Sequence, residues 1–439
     1  MPEKQQVSIF WFRRDLRLED NTGLYHALKS GYPVLPLFIF DTLILDKLQD
    51  NDDPRVTFIR NAIIKLDQEL QKHGSSIIVK HGTPQAAWTE LLNDYDIKAA
   101  FTNHDFEPYA KTRDESIADI LKTKGVELRT FKDHVIFEKN EVLKEDGKPY
   151  TVFTPYKRKW LEKLNPDFHL KAYPTEKYYN NFLQTSPFVI PGLEQLGFQS
   201  SLLTFPDREY KEVIEEYSNT RDSPALDGTS RIGVNLRFGT ISIREAGYDA
   251  FHAKEKTWLS ELIWRDFYAM ILWHFPYSAK SSFRKEFDNI PWLNREEDYK
   301  AWCEGNTGYP IVDAGMRQLN ATGWMHNRVR MITASFLCKH LLIDWRWGEA
   351  YFARKLIDYD QASNVGGWQW AAGTGNDAAP YFRVFSPDLQ TKKFDPKLEY
   401  VKKWVPEFSD PFKYAQPIVD HKFARQRALN AYKVGLAKS

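Results

Sequence analysis

The chain has little cysteine: Cys303 and Cys338 are the only two in 439 residues. That count leaves no room for a disulfide framework or a cysteine-based metal site, so no metal is expected and a reducing, cytoplasmic compartment is. No run approaches the roughly 18 apolar residues of a membrane-crossing helix. The opening MPEKQQVSIFWFRR lacks the apolar stretch and small-residue cleavage site of a secretory signal. An excess of one charge is missing too, since 60 Lys+Arg against 59 Asp+Glu leave +1. Any nucleic-acid surface must then be a local patch. From residue 391 onward 11 Lys+Arg face 5 Asp+Glu, a bias that a solvated face explains equally well. Neither G-x-G-x-x-G nor G-x-x-x-x-G-K-[ST] occurs, which removes the ordinary dinucleotide fingerprint and the P-loop.

Aromatic residues are what the chain has in plenty. They make up 15% of it, with 14 Trp, eleven of them beyond residue 200. Tryptophan is most often a large core residue. Such density in one half favours a site that handles a flat ring system or unstacked bases.

The length predicts two domains. In the first part, apolar runs read as strands at Val7–Phe12, Val34–Phe40, Ser75–Gly82, Ile97–Asn103 and Val126–Phe131. Helical stretches lie between them, from about Asn21, at Arg55–His73 and at Pro84–Asp94. Strands alternating with helices predict a doubly wound parallel sheet, Rossmann-like, over residues 1–132. Residues 133–200, rich in Pro, Tyr, Lys and Asn, read as a long ordered linker. Residues 201–439 read as an all-helical domain, with helices at Arg208–Ser218, Ser242–Ala253, Thr257–His274, Ile311–Thr322, Asn327–Leu342 and Glu349–Asp358.

Three segments of that second part suggest chemistry. In WLSELIWRDF, Glu261, Trp264 and Arg265 share one helix face at i, i+3 and i+4. A surface ion pair accounts for them; so does a site pairing a proton-carrying carboxyl with a stacking plane. In HNRVRMITASFLCKH, Asn327 and Met331 fall at helical spacing and can face one cavity, although a helical Met is usually core packing. The third, LIDYDQASNVGGWQWAAGTGNDAAPYFRVFSP, carries Asp358 and Asp360 around Tyr359, then Asn364, two glycines and two tryptophans. The glycine pair permits a close backbone approach or a turn with positive φ. A helical pocket with Asn, Asp, Arg and several Trp suits a flat redox cofactor such as a flavin.

Taken together, FWFRRDLRLEDN, DGTSRIGVNLRFGTIS, WLSELIWRDFY, TGYPIVDAGMRQLNATGWMHNRVRMITASFL and NVGGWQWAAGTGNDAAPYFRVFSP resemble the photolyase/cryptochrome family. The resemblance runs over essentially the whole chain and is closest to the class I enzymes acting on cyclobutane pyrimidine dimers. It implies FAD, folded into a U shape, in the helical domain. Tyr217, Thr229, Ser230 and Arg231, with Ile232 and Gly233 following, match positions around its phosphates. Trp258, Glu261 and Arg265 match a second binding helix, and Trp324, Asn327 and Arg330 a third. Asp358, Tyr359 and Asp360 match residues facing the isoalloxazine and ribitol, with Arg330 and Asp358 as the family's Arg–Asp pair. Asn364 matches the residue beside flavin N5, where a neutral amide favours keeping reduced flavin anionic.

The resemblance also implies a lesion pocket and an electron path. Trp264 and Trp370 match the indoles that cradle a flipped-out dimer, and Glu261 the acid that hydrogen-bonds it. Asn327 and Met331 match further lining positions, whereas members acting on (6-4) lesions carry a histidine pair in this neighbourhood. Arg221, Arg328 and Gln390 match DNA contacts. Trp292, Trp345 and Trp368 match the chain of indoles that photoreduces oxidised flavin. The implied function is light-driven repair of UV-damaged DNA, by one electron lent from reduced FAD and returned after ring opening. A monomer is expected, and a signalling cryptochrome is the alternative. A second, antenna chromophore is expected in or near the first domain, methenyltetrahydrofolate or deazaflavin, with Asn103 and Glu107 as candidates to hold it.

Overall fold

The computed structural model describes residues 4–206, 209–410 and 412–438. They form two compact units, each assembled from separate stretches of chain. Of the described residues, the first comprises 4–138, 163–206 and 232–252, the second 139–162, 209–231, 253–410 and 412–438. Residues 133–200, expected as one linker, are thus shared between the units.

The first unit is built on a five-stranded parallel sheet: β1 (Gln6–Phe12), β2 (Val34–Asp41), β3 (Ile78–Gly82), β4 (Asp96–Asn103) and β5 (Leu128–Phe131), in the order β3-β2-β1-β4-β5. That order reverses between β1 and β4, the doubly wound pattern the alternation predicts. Both faces of the central strands are covered. Phe10, Phe12 and Phe38 pack into one core and Val7, Ile9 and Trp11 into the other, which is why these strands read as unbroken apolar runs. Helix starts follow the capping rules: Asn21 accepts from the Leu24 N–H, Asp53 precedes Pro54, and Thr83 precedes Pro84.

In the second unit helix Thr257–His274 has the expected bounds, and helix Pro310–Thr322 begins one residue early. Three expectations are corrected. The helix expected over Asn327–Leu342 is α-helical only to Ser335, then becomes a π-helix over Phe336–His340, with Leu342 at φ 53°. The helix expected at Glu349–Asp358 runs Trp345–Lys355 instead. Asp344 caps it by accepting from the Arg346 N–H, and the extended Leu356 stops it. The glycine pair lies inside helix Gln361–Ala372, capped by Asp360, so of the two readings close approach stands: a Cβ on Gly366 would fall 2.2 Å from Tyr268 Cδ1. In the helix expected over Arg208–Ser218, Arg208 lies outside the described residues, and the helix described is Lys211–Thr220.

Candidate functional site

Within the second unit, helices Thr257–His274, Asn327–Ser335, Trp345–Lys355 and Gln361–Ala372 wall a cavity of about 430 Å³. Helical spacing aims the residues. Glu261, Trp264, Arg265 and Tyr268 come from one face of the first helix, and Asn327, Arg330 and Met331 from the next. Asp358, Tyr359 and Asp360 enter from the loop between the last two helices, and Asn364, Trp368 and Trp370 from the final helix. Arg221 and Arg328 also line the cavity. Residues as far apart in sequence as Arg221 and Trp370 thus converge on one space that periodicity alone cannot assemble.

Glu261 pairs with Arg221 at 2.6 Å. Burial raises its pKa, and the Arg221 charge only partly offsets that. Glu261 therefore holds a proton more readily than an exposed carboxyl. The Trp264 ring stacks with Phe153 at 3.5 Å and with Tyr268 at 5.4 Å between centroids. Arg330 donates to Asp358 at 2.8 Å and, through Nε, to the Met325 carbonyl at 2.7 Å. Asn364 donates through Nδ2 to the Glu349 carboxylate at 2.9 Å and to its backbone carbonyl at 3.1 Å. Burial raises the pKa of Glu349 as well, against the hydrogen bonds of Asn364 and Tyr359.

The lining has the character of a ligand site. Asp358 Oδ1 and Trp368 Nε1 are buried and have no hydrogen-bond partner, an acceptor and a donor left open on the same cavity. Gly367 lies on the wall, and a Cβ there would meet nothing within 4 Å. Indole planes, an open carboxylate oxygen and a fixed guanidinium fit a large, flat, polar-edged cofactor such as a flavin.

Most of the other expected residues lie outside the cavity lining. Trp258 donates to the Ser230 hydroxyl at 3.3 Å, and Arg231 lies 4.5 Å over the Trp324 ring. Arg231 also pairs with Asp227 at 2.9 Å. Tyr217 carries the Arg221 guanidinium 5.4 Å from its ring centre, and Thr229 is half-buried beside Ser230. Ile232 and Gly233 open helix Gly233–Phe238, which belongs to the first unit. Gln390 is half-buried on helix Pro387–Phe394. Trp345 and Trp368 lie in the helical core with Trp292 packed against it, and no ring pair joins the three among the described residues.

In the first unit Asn103 is buried with both ends of its amide engaged. Its Oδ1 accepts from the Gly23 N–H at 2.9 Å, and its Nδ2 donates to Asp15 and Asn21 at 2.6 and 2.8 Å. Glu107 is held by Arg14 at 2.9 Å and Arg237 at 3.2 Å. Both candidates for holding an antenna are thus anchored by contacts inside the unit. Sequence reading missed Tyr268, Phe153 and Glu349. Phe153 stood among the aromatics of the expected linker, while Glu349 gave no signal, being tied to Asn364 only by the fold.

Two family models cover most of the chain. Residues 8–175 match the DNA photolyase model, and residues 258–434 the FAD binding domain of DNA photolyase. A deoxyribodipyrimidine photo-lyase of Synechococcus sp. is 38% identical, over 91% of this chain and 87% of that protein. Among solved structures, a class III photolyase from Agrobacterium tumefaciens superposes with a TM-score of 0.86 at 33% identity, covering 100% of this chain and 99% of that one. An archaeal photolyase from Sulfolobus tokodaii, described with two FAD molecules, gives 0.83 at 35% identity, covering 98% and 100%. The chain belongs to the DNA photolyase family, and its second unit carries that family's FAD-binding domain.

Proposed function

We propose that this chain is a light-driven lyase that reverses cyclobutane pyrimidine dimers in DNA. The observation that carries the reading is the single cavity on which Glu261, Trp264, Asn327, Met331 and Trp370 meet Arg330, Asp358 and Asn364. When bound and reduced, FAD supplies on absorbing light the one electron that opens the cyclobutane ring, and takes it back afterwards.

The chain's own residues bind, orient and hold protons. Asp358, with its open Oδ1, and Arg330 hold the cofactor's polar edge, with Tyr359, Asp360 and Arg265 beside them. Tyr217, Thr229, Ser230, Arg231, Trp258 and Trp324 hold its phosphate end. Asn364, neutral and tied to Glu349, offers the ring an amide in place of an acid. Trp264, backed by Phe153 and Tyr268, and Trp370 provide the planes against which a flipped-out dimer stacks. Glu261, whose pKa burial raises against the opposing Arg221 charge, is the group that hydrogen-bonds the dimer. Arg221, Arg328 and Gln390 contact the DNA backbone, and Trp292, Trp345 and Trp368 carry electrons inward to oxidised flavin. A second chromophore belongs to the proposal too, with Asn103 and Glu107 as candidates to hold it.

The test uses chemically reduced protein and a duplex carrying one cyclobutane thymine dimer, with a (6-4) lesion in parallel. Light-dependent recovery of intact thymines from the cyclobutane substrate alone is expected. No recovery with fully reduced FAD bound overturns the reading.

A further inference from the structure

Asn376 and Asp377 have no part in that function, yet they bind the segment whose ring lies against Trp264. They follow helix Gln361–Ala372, which carries Trp370. The Asp377 carboxylate accepts from the Phe153 N–H at 2.9 Å, and Asn376 Nδ2 donates to the Thr151 carbonyl at 3.0 Å. Phe153 is the first residue of helix Phe153–Lys163, so its N–H has no acceptor within that helix. Its ring is 8 % exposed and lies 3.5 Å from the Trp264 ring at an interplanar angle of 6°. Residues 151–153 thus join the helix of Trp370 to Trp264 itself, all within one compact unit.

The steps between the two indoles are held by hydrogen bonds. On the Trp370 side, Gly373 ends the helix at φ 82°, a conformation that other residues adopt only at a cost. The Gln369 carbonyl accepts from the N–H groups of Gly373, Thr374 and Gly375 at 3.0, 3.0 and 3.2 Å. Gln369 is buried and its amide is engaged at both ends. Nε2 donates to the Ser278 and Ser281 carbonyls at 2.8 and 3.1 Å, and Oε1 accepts from the Phe283 N–H at 2.8 Å. On the Trp264 side, Lys157 donates to the Ser260 hydroxyl at 2.8 Å and Trp160 to the Asp266 carboxylate at 3.0 Å. Those bonds tie helix Phe153–Lys163 to helix Thr257–His274. The helices bearing the two indoles also meet directly, where Tyr268, one turn beyond Trp264, packs against Gly366. One seam of packing lets two helices pivot; a second connection fixes their angle, and with it the gap between Trp264 and Trp370.

We propose that Asn376 and Asp377 are positioning residues that set the gap between Trp264 and Trp370, and through it the preference for a dimer over undamaged bases. The proposal rests on reading those indoles as the walls of a lesion pocket, and deepens that reading. A gap opened by roughly 0.5–1 Å forfeits about a quarter to a half of the dispersion attraction across it. A flipped-out dimer feels that loss. Undamaged bases stay stacked in the duplex, where binding rests on phosphate contacts, and do not enter the gap.

The experiment uses the full chain with reduced FAD bound, in darkness. It measures, by anisotropy of a labelled duplex, the Kd for DNA carrying one cyclobutane thymine dimer and for the same duplex undamaged. The variants are Asp377→Ala, Asp377→Asn and Asn376→Ala. Asp377→Ala is expected to raise the Kd for the dimer about tenfold, and Asn376→Ala about threefold, with the Kd for undamaged DNA and the FAD content at parent values. Asp377→Asn, whose amide oxygen accepts the same N–H, is expected to recover the parent ratio of the two Kd values. A helix cap that served stability alone would lower the unfolding midpoint and leave that ratio unchanged, and this result overturns the proposal. So does an equal loss on both duplexes, or a ratio that Asp377→Asn does not recover. If Asp377→Ala fails to fold, Asn376→Ala, which leaves the Phe153 N–H capped, decides by the same ratio. A parent chain that binds both duplexes alike removes the lesion-pocket reading itself, whereas a discriminating parent with unaltered variants removes only the positioning role.

Discussion

Two aspartates, one in each unit, show how the same side chain is used for opposite ends. In the first unit Asp133 is 2 % exposed and both oxygens are occupied. Oδ2 accepts from Arg17 at 2.7 Å, and Oδ1 from Arg244 at 2.7 Å and from the Thr22 N–H and hydroxyl, each at 3.0 Å. Burial pushes its pKa up, but the two guanidiniums win and hold it at about 2. In the second unit Asp358 has one oxygen on Arg330 and the other buried and unpartnered. A closed network of buried charge serves the fold alone, whereas an open valence beside a cavity is a cost that only a ligand removes.

The sharpest way to break that comparison is to remove each carboxylate. Asp133→Ala strands Arg17 and Arg244 in the interior and should cost about 3–5 kcal/mol in urea unfolding. Asp358→Asn should leave the FAD-free protein within about 1 kcal/mol of the parent, yet weaken FAD retention about tenfold by losing a charged hydrogen bond. If Asp358→Asn destabilises the FAD-free chain as severely as Asp133→Ala does, the cavity carboxylate is structural and the contrast fails.

His326 sharpens the contrast next. It caps helix Asn327–Ser335 by accepting the Arg328 N–H on Nδ1 at 3.1 Å, and its buried Nε2 has no partner. Burial first, then Arg328 and Arg330, lower its pKa to about 4. The unfolded chain therefore binds the proton more tightly. Stability from the neutral ring is complete above about pH 6.5 and is lost as pH falls toward 4, by about 3 kcal/mol. Unfolding midpoints at pH 7 and 4.5 should converge in His326→Asn, which keeps a capping acceptor. A slope unchanged in that variant would assign the acid sensitivity elsewhere.

A smaller effect is expected at the lesion wall. Trp264→Ala should weaken binding of a dimer-containing oligonucleotide by about 1–3 kcal/mol, the range for losing one aromatic stacking plane, while undamaged duplex binds as before. Equal losses on both substrates would make Trp264 a packing residue behind Phe153 and Tyr268.

These residues differ in how far the sequence discloses them. The parallel sheet was legible because β1 from Val7 (Ser8 aside) and β2 as far as Phe40 are apolar, and Pro54 and Pro84 mark helix starts. Glu261, Trp264 and Arg265 were legible as a set because one helix face carries them. What hid the rest was distance along the chain. Asn364 reaches Glu349 only because two helices pack antiparallel across Gly348 and Trp368, and Phe153 finds Trp264 from more than a hundred residues away. The π-helical turn at Phe336–His340 was hidden for another reason: its residues continue the apolar pattern of the α-helix before it, and only the hydrogen-bond step changes.

Arg328 offers the smallest and most diagnostic change. Its guanidinium lies 4.4 Å over the Phe394 ring and pairs with Asp222 at 2.5 Å, a carboxylate that is half exposed. A closed pair of the Asp133 kind would hold its partner against any competitor. An exposed pair is worth little, so a phosphate can displace Asp222 at small cost. Each phosphate neutralised adds about one unit to the slope of log affinity against log salt. Arg328→Ala should therefore lower that slope by about one on damaged and undamaged DNA alike, and Arg328→Lys should restore it. A slope that stays at the parent value in Arg328→Ala would mean that Asp222 keeps the guanidinium, and that the second unit holds a closed pair where an open one is argued.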